Sequence, residues 1–407
     1  MQNKRKTRQL RVLSTLVTLA ILAGYAFWVL RVPVTMLRPE LSSIKVSTQT
    51  VSGDLPWPGY GQAAVGILGS GVVAQNGKQT PVPIASVAKV ITSLAVLSKK
   101  PLQPGQDGPK ITLTASDVAL YNAYAAKEGS LTPVNNGEII SEYQMLEAVL
   151  LPSANNIADS MAIWAFGSLS AYHDYANEFV KELGMAHTTI ADDASGYAPG
   201  TTSTTRDLVK LGEAAMKNRV LAEIAGKAQA DIPVAGIIYN VNTLLGTSGI
   251  VGIKTGNTLQ AGGVFLGASK ESIGSKPVTV ITAIAGAPDL PTALDDTLPL
   301  TAGAQKNFDN NKAIVEGDIV GSYRQPWGKT ITISASKTVS VLNWKGLGAP
   351  VQITIKPITF TAQAGDIVGT VTAQKSLLAG ESSVYAVLDG TPTKPPVWWR
   401  LLHPLYK

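Results

Sequence analysis

The sequence predicts a mixed α/β (α+β) body followed by an all-β domain, with a single transmembrane helix in front. Three observations carry this expectation. An uncharged apolar run near the N-terminus has the length of a bilayer core. The long middle of the chain mixes helical spacing with Gly-bounded, β-branched runs. From about residue 314 helical spacing disappears and short alternating runs take over. The expected division is a basic tail at 1–11, an anchor at 12–31, a tether at 32–60, a mixed domain at 61–310, a β-domain at 311–392 and a tail at 393–407.

The anchor rests on charge and length. Residues 1–31 hold Lys4, Arg5, Lys6, Arg8, Arg11 and Arg31, and no acidic residue. The whole chain has 34 Lys+Arg against 28 Asp+Glu, so these six account for its net charge of +6. An isoelectric point near 9.2 taken alone suggests nucleic acid. Its source in the first 31 residues argues against a phosphate-binding groove, and no nucleic-acid partner is expected. Residues 12–30 are 19 positions without a charge. That length spans a bilayer core, and the preceding basic residues put the N-terminus in the cytoplasm and the body outside. A cleaved signal peptide is the competing reading, with Ala23-Gly24-Tyr25-Ala26 as its cleavage site. The run is long for a signal peptide, which favours an uncleaved, single-pass anchor in the cell membrane.

Residues 32–60 contain several Pro and Gly, lack periodicity and read as a tether. Residues 62–75 read as a hairpin with a break at 69–71. After Pro83, Val87, Val90, Ile91, Leu94 and Leu97 fall at helical spacing, and Lys99, Lys100 and Pro101 end that helix. Leu146, Val149 and Leu150 mark a short helix stopped by Pro152. Residues 156–168 and 171–183 are again helical, the second closed by Gly184. Thr204 to Asp207 opens a helix over 207–218. Residues 249–269 read as two strands around a turn, and 278–285 as a buried strand.

In the β-domain, residues 330–334, 351–355 and 383–388 alternate. Gly-Asp-Ile-Val-Gly occurs twice, at 317–321 and 365–369. It reads either as a repeated ligand loop or as two equivalent turns of one domain. The tail sets Trp398, Trp399, Leu401 and Leu402 beside Arg400 and Lys407. That mixture suits a membrane interface or packing onto the β-domain.

Composition narrows the chemistry. The absence of cysteine excludes a thiol nucleophile, thiolate metal sites and disulfides. His173, His187 and His403 stand apart, and no His-Glu-x-x-His occurs. Neither a metal nor another cofactor is expected. Ser-x-x-Lys occurs three times, at Ser42/Lys45, Ser86/Lys89 and Ser334/Lys337. About one or two such pairs arise by chance in this length, so context must separate them. Ser42 sits in the tether. Ser334 and Lys337 sit on an alternating strand, where a three-residue offset puts them on opposite faces. Only Ser86 opens an amphipathic helix, where positions three apart share a face. A buried Lys89 shifted towards neutrality can then serve as base to Ser86, and the positive helix end favours an oxyanion there. Seen alone, the pair equally fits a helix N-terminus with a solvated lysine.

Ser153-Ala154-Asn155 is the single Ser-x-Asn in the chain. It follows Pro152 between two helices, where its polar groups can face a cleft or cap the next helix. Lys254-Thr255-Gly256 is the single Lys-Thr-Gly, after the β-branched stretch at 249–253. A Lys and a Thr before a Gly that permits close backbone approach suit a carboxylate ligand. A plain exposed strand end fits as well.

The three together, in this order, resemble the set of class A β-lactamases and penicillin-binding proteins. The chain resembles the low-molecular-mass penicillin-binding D-Ala-D-Ala carboxypeptidases over roughly residues 60–390. The likeness is carried by residues 83–89, 150–158 and 252–258 with Ala261-Gly262. Glu128-Gly129-Ser130, Gly137-Glu138, Leu183-Gly184-Met185, residues 193–196 and residues 204–208 add to it.

The resemblance implies a β-lactamase/transpeptidase-like catalytic domain and a reaction. Ser86 attacks the penultimate D-Ala carbonyl of a peptidoglycan stem peptide, and Lys89 takes its proton. Ser153 relays a proton to the leaving D-Ala. Asn155 holds the substrate backbone, and Lys254, Thr255 and Gly256 hold the terminal carboxylate. The backbone N–H groups of Ser86 and Asn257 form the oxyanion hole, and β-lactams acylate Ser86 as covalent inhibitors. Two features depart from the family pattern. The clear anchor is N-terminal rather than a C-terminal amphipathic helix, and Ala154 stands where the family often has Gly. The rivals are a β-lactamase, for which no segment between Ser153 and Lys254 supplies an evident deacylating Glu, and an inactive wall-binding protein.

Overall fold

The structure is a computed structural model that describes residues 2–32, 36–43, 55–191, 193–273, 276–347, 349–374 and 380–404. Lys45 of the first Ser-x-x-Lys pair and Lys407 of the tail lie outside the described residues. The chain divides into two compact units. One is Gln49–Asp309 with Trp344–Leu347; the other is Met1–Thr48 with Asn310–Asn343 and Gly348–Lys407.

The first unit holds a five-stranded antiparallel sheet in the order Ile250–Thr258, Gly262–Ile273, Lys276–Ala287, Gln62–Ile67, Gly71–Asn76. Its strands are buried on both faces, so they read as near-continuous apolar runs. Leu266, Ala268, Ile281 and Ala283 point into the main core, against the helix Thr205–Lys217. Gly212 of that helix allows the approach, because a Cβ there would lie 2.7 Å from Ile281. The alternate residues Phe265, Val280 and Ile284 point the other way, where the helix Leu290–Lys306 packs. That helix was not legible in the sequence. Pro299 lies inside it, yet Asp289 caps it, Pro291 suits its first turn, and Leu294, Leu300 and Ala304 are buried along one side.

The helical half of this unit packs Ala88–Lys99, Glu142–Leu150, Asn155–Phe166 and Leu169–Glu182 around the same core. Ala88–Lys99 is buried continuously from Ala88 to Leu97, polar positions included, rather than on the one face its spacing suggested. It is therefore a central helix, and any polar side chain on it must find a partner inside the protein. Capping boxes open the helices at Ala115 and Glu142, through Thr114 with Asp117 and Ser141 with Gln144.

The second unit is a six-stranded antiparallel sheet in the order Pro39–Leu41, Ile319–Tyr323, Ile331–Ala335, Ser382–Leu388, Ile367–Ala373, Val351–Ile355. The two Gly-Asp-Ile-Val-Gly segments occupy equivalent places in it. Asp318 Oδ2 accepts the Val315 N–H and Asp366 Oδ2 accepts the Gln363 N–H, both at 2.8 Å. Gly317 and Gly365 take φ of 85° and 91°, open to glycine. Their N–H groups donate to Ala335 O and Leu388 O. The central strands pair Ile333 with Leu388, Ser334 with Val387 and Ala335 with Ala386. A local two-fold axis through the Ser334–Val387 pair thus exchanges the two halves. The carboxylates close turns, so the segments are equivalent turns rather than ligand loops.

The same symmetry corrects the expected tether. Leu41 pairs with Gly321 as Ile355 pairs with Gly369, so Pro39–Leu41 fills the place in one half that Val351–Ile355 fills in the other. Leu37 is buried in this unit's core and bridges Ile358. Residues 36–43 are therefore part of the sheet, and three strand residues among prolines were too short a run to show periodicity.

The N-terminal helix Gln2–Arg31 is exposed along its apolar length. At its end Arg400 donates to the carbonyls of Val29, Leu30 and Val32, and the Tyr25 hydroxyl donates to Leu401 O at 2.7 Å. The two tail tryptophans part ways. Trp399 is buried against Trp327 and His403, whereas Trp398 is exposed.

Candidate active site

Ala85–Val87 form one 3₁₀ turn that runs directly into the helix Ala88–Lys99. Ala85 takes φ of 44°, an uncommon left-handed conformation for a residue with a Cβ. Ser86, half-buried, sits at the mouth of the helix. One turn on, Lys89 is fully buried and its Nζ lies 2.7 Å from Ser86 Oγ. Lys89 Nζ also donates to Asn155 Oδ1 at 2.7 Å and to Ser195 O at 3.0 Å. Three segments far apart in sequence thus converge on one amine.

Burial drives the Lys89 amine well below the usual lysine range, and the charge of Lys254 pushes it further down; Asp193 and Asp159 oppose this. Lys254 is itself fully buried, and burial pushes it down to about 7. Its Nζ donates to Thr255 O at 3.2 Å.

Asn155 begins the helix Asn155–Phe166, whose cap is Ala154 with no side-chain cap bond. The capping role open to Ser153 or Asn155 is therefore not taken up. The Asn155 N–H donates to Ser130 O at 2.8 Å, and its side-chain oxygen is taken by Lys89. Gly129 makes room, since a Cβ there would lie 2.7 Å from Asn155 Nδ2. Ser153 is buried, with φ of 68°.

The strand Ile250–Thr258 carries Lys254, Thr255, Gly256 and Asn257 past the nucleophile turn. Lys254 and Thr255 are buried and Asn257 is exposed. A Cβ on Gly256 would sit 2.9 Å from Ile84 O and 3.2 Å from Ser86 N. Glycine is thus what lets this strand close on Ser86. The structure brings Ser86, Lys89 and Asn155 into one hydrogen-bonded group. It sets Lys254 within electrostatic reach of Lys89 and Gly256 against the Ser86 backbone. Ser334, of the rival pair, is engaged elsewhere, donating to Asp389 at 2.5 Å.

Sequence reasoning assigned no role to the Ser195 carbonyl, a backbone group without a side-chain signature. Its loop is held by Asp193, whose Oδ1 accepts the N–H groups of Ser195 and Tyr197. Gly196 permits close packing, since a Cβ there would collide with Ala85 O.

A serine hydroxyl at a helix mouth, bonded to a buried lysine held by two fixed acceptors, defines a serine–lysine acyl-transfer enzyme. The comparisons with known proteins agree. Residues 67–288 match the peptidase S11 family, D-alanyl-D-alanine carboxypeptidase. D-alanyl-D-alanine carboxypeptidase DacC of Escherichia coli is 24% identical over 319 residues, 74% of this chain and 76% of that protein. DacB2 of Mycobacterium tuberculosis is 30% identical over 227 residues, 54% of this chain and 74% of that protein. Among solved structures, a peptidoglycan synthesis regulatory factor (PBP3) from Streptococcus pneumoniae aligns with a TM-score of 0.57 at 21% identity, covering 81% of this chain and 98% of that one. DacD from Francisella tularensis aligns with a TM-score of 0.57 at 17% identity, over 86% and 96%. The chain belongs to the D-alanyl-D-alanine carboxypeptidase family.

Proposed function

We propose that the chain is a serine-type D-Ala-D-Ala carboxypeptidase that removes the terminal D-Ala of peptidoglycan stem pentapeptides through an acyl-enzyme on Ser86. The observation that carries this is the set of three contacts at Lys89. A neutral amine has two N–H donors and one lone pair. Asn155 Oδ1 and Ser195 O are pure acceptors and occupy both donors. The lone pair is then left for the Ser86 hydroxyl 2.7 Å away. Burial and Lys254 favour that neutral form.

Ser86 Oγ adds to the penultimate D-Ala carbonyl carbon as Lys89 takes the hydroxyl proton. The oxyanion is met by the Ser86 and Asn257 N–H groups. The C–N bond breaks, and the proton held by Lys89 passes by way of Ser153 to the leaving amine, which returns Lys89 to its neutral form. Water then adds to the ester carbonyl, gives its proton to Lys89, and Ser86 is released as the alcohol. Lys254, Thr255 and Gly256 receive the terminal carboxylate, and Asn155 the substrate backbone. A β-lactam enters by the same first step. A β-lactamase reading needs a carboxylate free to activate water. Asp159 and Asp193, the carboxylates felt at Lys89, are both engaged in hydrogen bonds, which favours a long-lived penicilloyl ester.

The helix Lys6–Arg31 is long and apolar enough to cross a membrane, and little of it is buried, unlike a core helix. This supports a membrane-crossing segment; the length of the apolar run favours an uncleaved anchor, and the basic residues before it favour a catalytic unit outside the cytoplasmic membrane, beside its substrate.

A fluorescent penicillin is expected to label the wild-type chain covalently and leave Ser86→Ala unlabelled, and the wild type to release D-Ala from a pentapeptide. Equal labelling of the variant overturns the nucleophile. Rapid penicillin turnover without D-Ala release replaces the proposal with the β-lactamase.

A further inference from the structure

Asp159 belongs to none of the three boxes. It lies on the helix Asn155–Phe166 one turn after Asn155, on the same face, and is 3% exposed. Its Oδ1 accepts the Ala194 N–H at 2.9 Å, and its Oδ2 accepts the Tyr124 hydroxyl at 2.7 Å. The Ala194 carbonyl accepts from Thr92 Oγ1 at 2.6 Å. Ser195 N–H donates to Asp193 Oδ1 at 2.7 Å. The next group on this main chain is the Ser195 carbonyl, which receives Lys89. A two-residue stretch of backbone is thus held at every polar atom, and Asp159 supplies the hold from the Asn155 helix.

We propose that Asp159 is a positioning residue for Lys89. Through the Ala194 N–H it fixes the Ser195 carbonyl that takes one amine hydrogen and so aims the lone pair at Ser86. As a buried carboxylate it also sets the proton affinity of that amine. The inference rests on Lys89 being the base.

The charged and titratable groups facing Lys89 come from several elements. Lys254 on its strand disfavours the ammonium form; Asp193 in the loop and Asp159 on the helix favour it. The hydroxyls of Tyr124 and Tyr172 face Asp159 and Thr92. Burial pushes the Asp159 carboxyl up to about 6, with Tyr124 and Ala194 opposing by hydrogen bonds. Its charge is therefore present at neutral pH. Removing that charge lowers the proton affinity of Lys89, so Lys89 becomes neutral at lower pH.

The test is the rate of acylation by a fluorescent penicillin against pH, on the full chain, with thermal unfolding of each variant. Asp159→Asn keeps an oxygen for Ala194 and loses the charge. It is expected to move the acid limb of the profile down by about half a pH unit or more. Asp159→Ala is expected to lower the plateau rate by about tenfold or more. Tyr124→Phe removes a hydrogen bond that favours the charged Asp159 carboxylate and is expected to move the acid limb in the same direction by less than Asp159→Asn. An unmoved limb in Asp159→Asn overturns the proposal even if Asp159→Ala fails to fold, because loss of stability alone lowers the active fraction without moving the limb. Lys89→Ala, run in parallel, separates the two layers: wild-type acylation by that variant overturns the base assignment itself.

Discussion

Lys89 and Lys254 share one buried cleft without a carboxylate in a salt bridge to either among the described residues. Burying an unpaired ammonium is unfavourable by several kcal/mol, and the protein answers by depressing both amines. In the proposed reaction the two separate by task. Lys89, with fixed acceptors for both hydrogens, would work neutral. Lys254, pushed down to about 7, would work protonated, because only the ammonium attracts a substrate carboxylate. The sign follows: Lys254 is charged below about pH 7 and loses its proton as pH rises through that value in the free enzyme. A bound carboxylate favours the charged form, so kcat is affected less. The expected outcome is a KM for a D-Ala-D-Ala peptide that climbs above about pH 7, by up to about tenfold per unit, while the C-terminal amide shows no such climb. Steady-state kinetics from pH 6 to 9 on both substrates checks this, and equal pH dependence of the two would remove Lys254 from carboxylate binding.

At the scale of elements, the site exists because a strand, two helices and a loop approach closely. Gly256 makes the strand's approach possible. Gly256→Ala must part the strand from the nucleophile turn or distort it, and a misplacement near 1 Å costs about a hundredfold in rate. Penicillin acylation is expected to fall by about that factor with the unfolding temperature little changed; near-wild-type acylation would show that the strand can yield. The legibility of these elements in the sequence was uneven for physical reasons. Ser86, Lys89, Ser153, Asn155 and Lys254 could be singled out as candidates because the chemistry proposed for them resides in side chains at fixed spacing. The Ser195 carbonyl was not, since any residue has a carbonyl. Asp159 was hidden because one acidic residue on a helix reads as solvated until its burial is known. The helix Leu290–Lys306 escaped because its buried side consists largely of Ala, Thr and Leu around Pro299, and the strand Pro39–Leu41 because three residues have no period.

For the whole molecule, the sheet that follows the N-terminal helix predicts how truncation behaves. Residues 36–43 cover one edge of the strand Ile319–Tyr323 and add Leu37 to the core. A chain shortened to begin after residue 32 keeps that cover, and one shortened to begin at residue 55 loses it. An uncovered edge offers its backbone groups to other chains. The longer truncation is expected to lose amide-exchange protection in Ile319–Tyr323 and to self-associate in sedimentation, while the shorter one stays protected and monodisperse. Identical protection in both would mean that this edge strand contributes little.

The same strand decides the order in which the chain can finish folding. Pro39–Leu41 is synthesised before the unit Gln49–Asp309, and its partner Ile319–Tyr323 only after it. The catalytic unit is in effect a long insertion within the β-unit, between a first strand and the remainder of its sheet. Most of that unit precedes residue 309, with Trp344–Leu347 still to follow, whereas the sheet must close a loop of that whole length. The segments that carry Ser86, Lys89 and Lys254 therefore emerge before Ile319–Tyr323, and the pairing of that strand with Pro39–Leu41 is a late, long-range step.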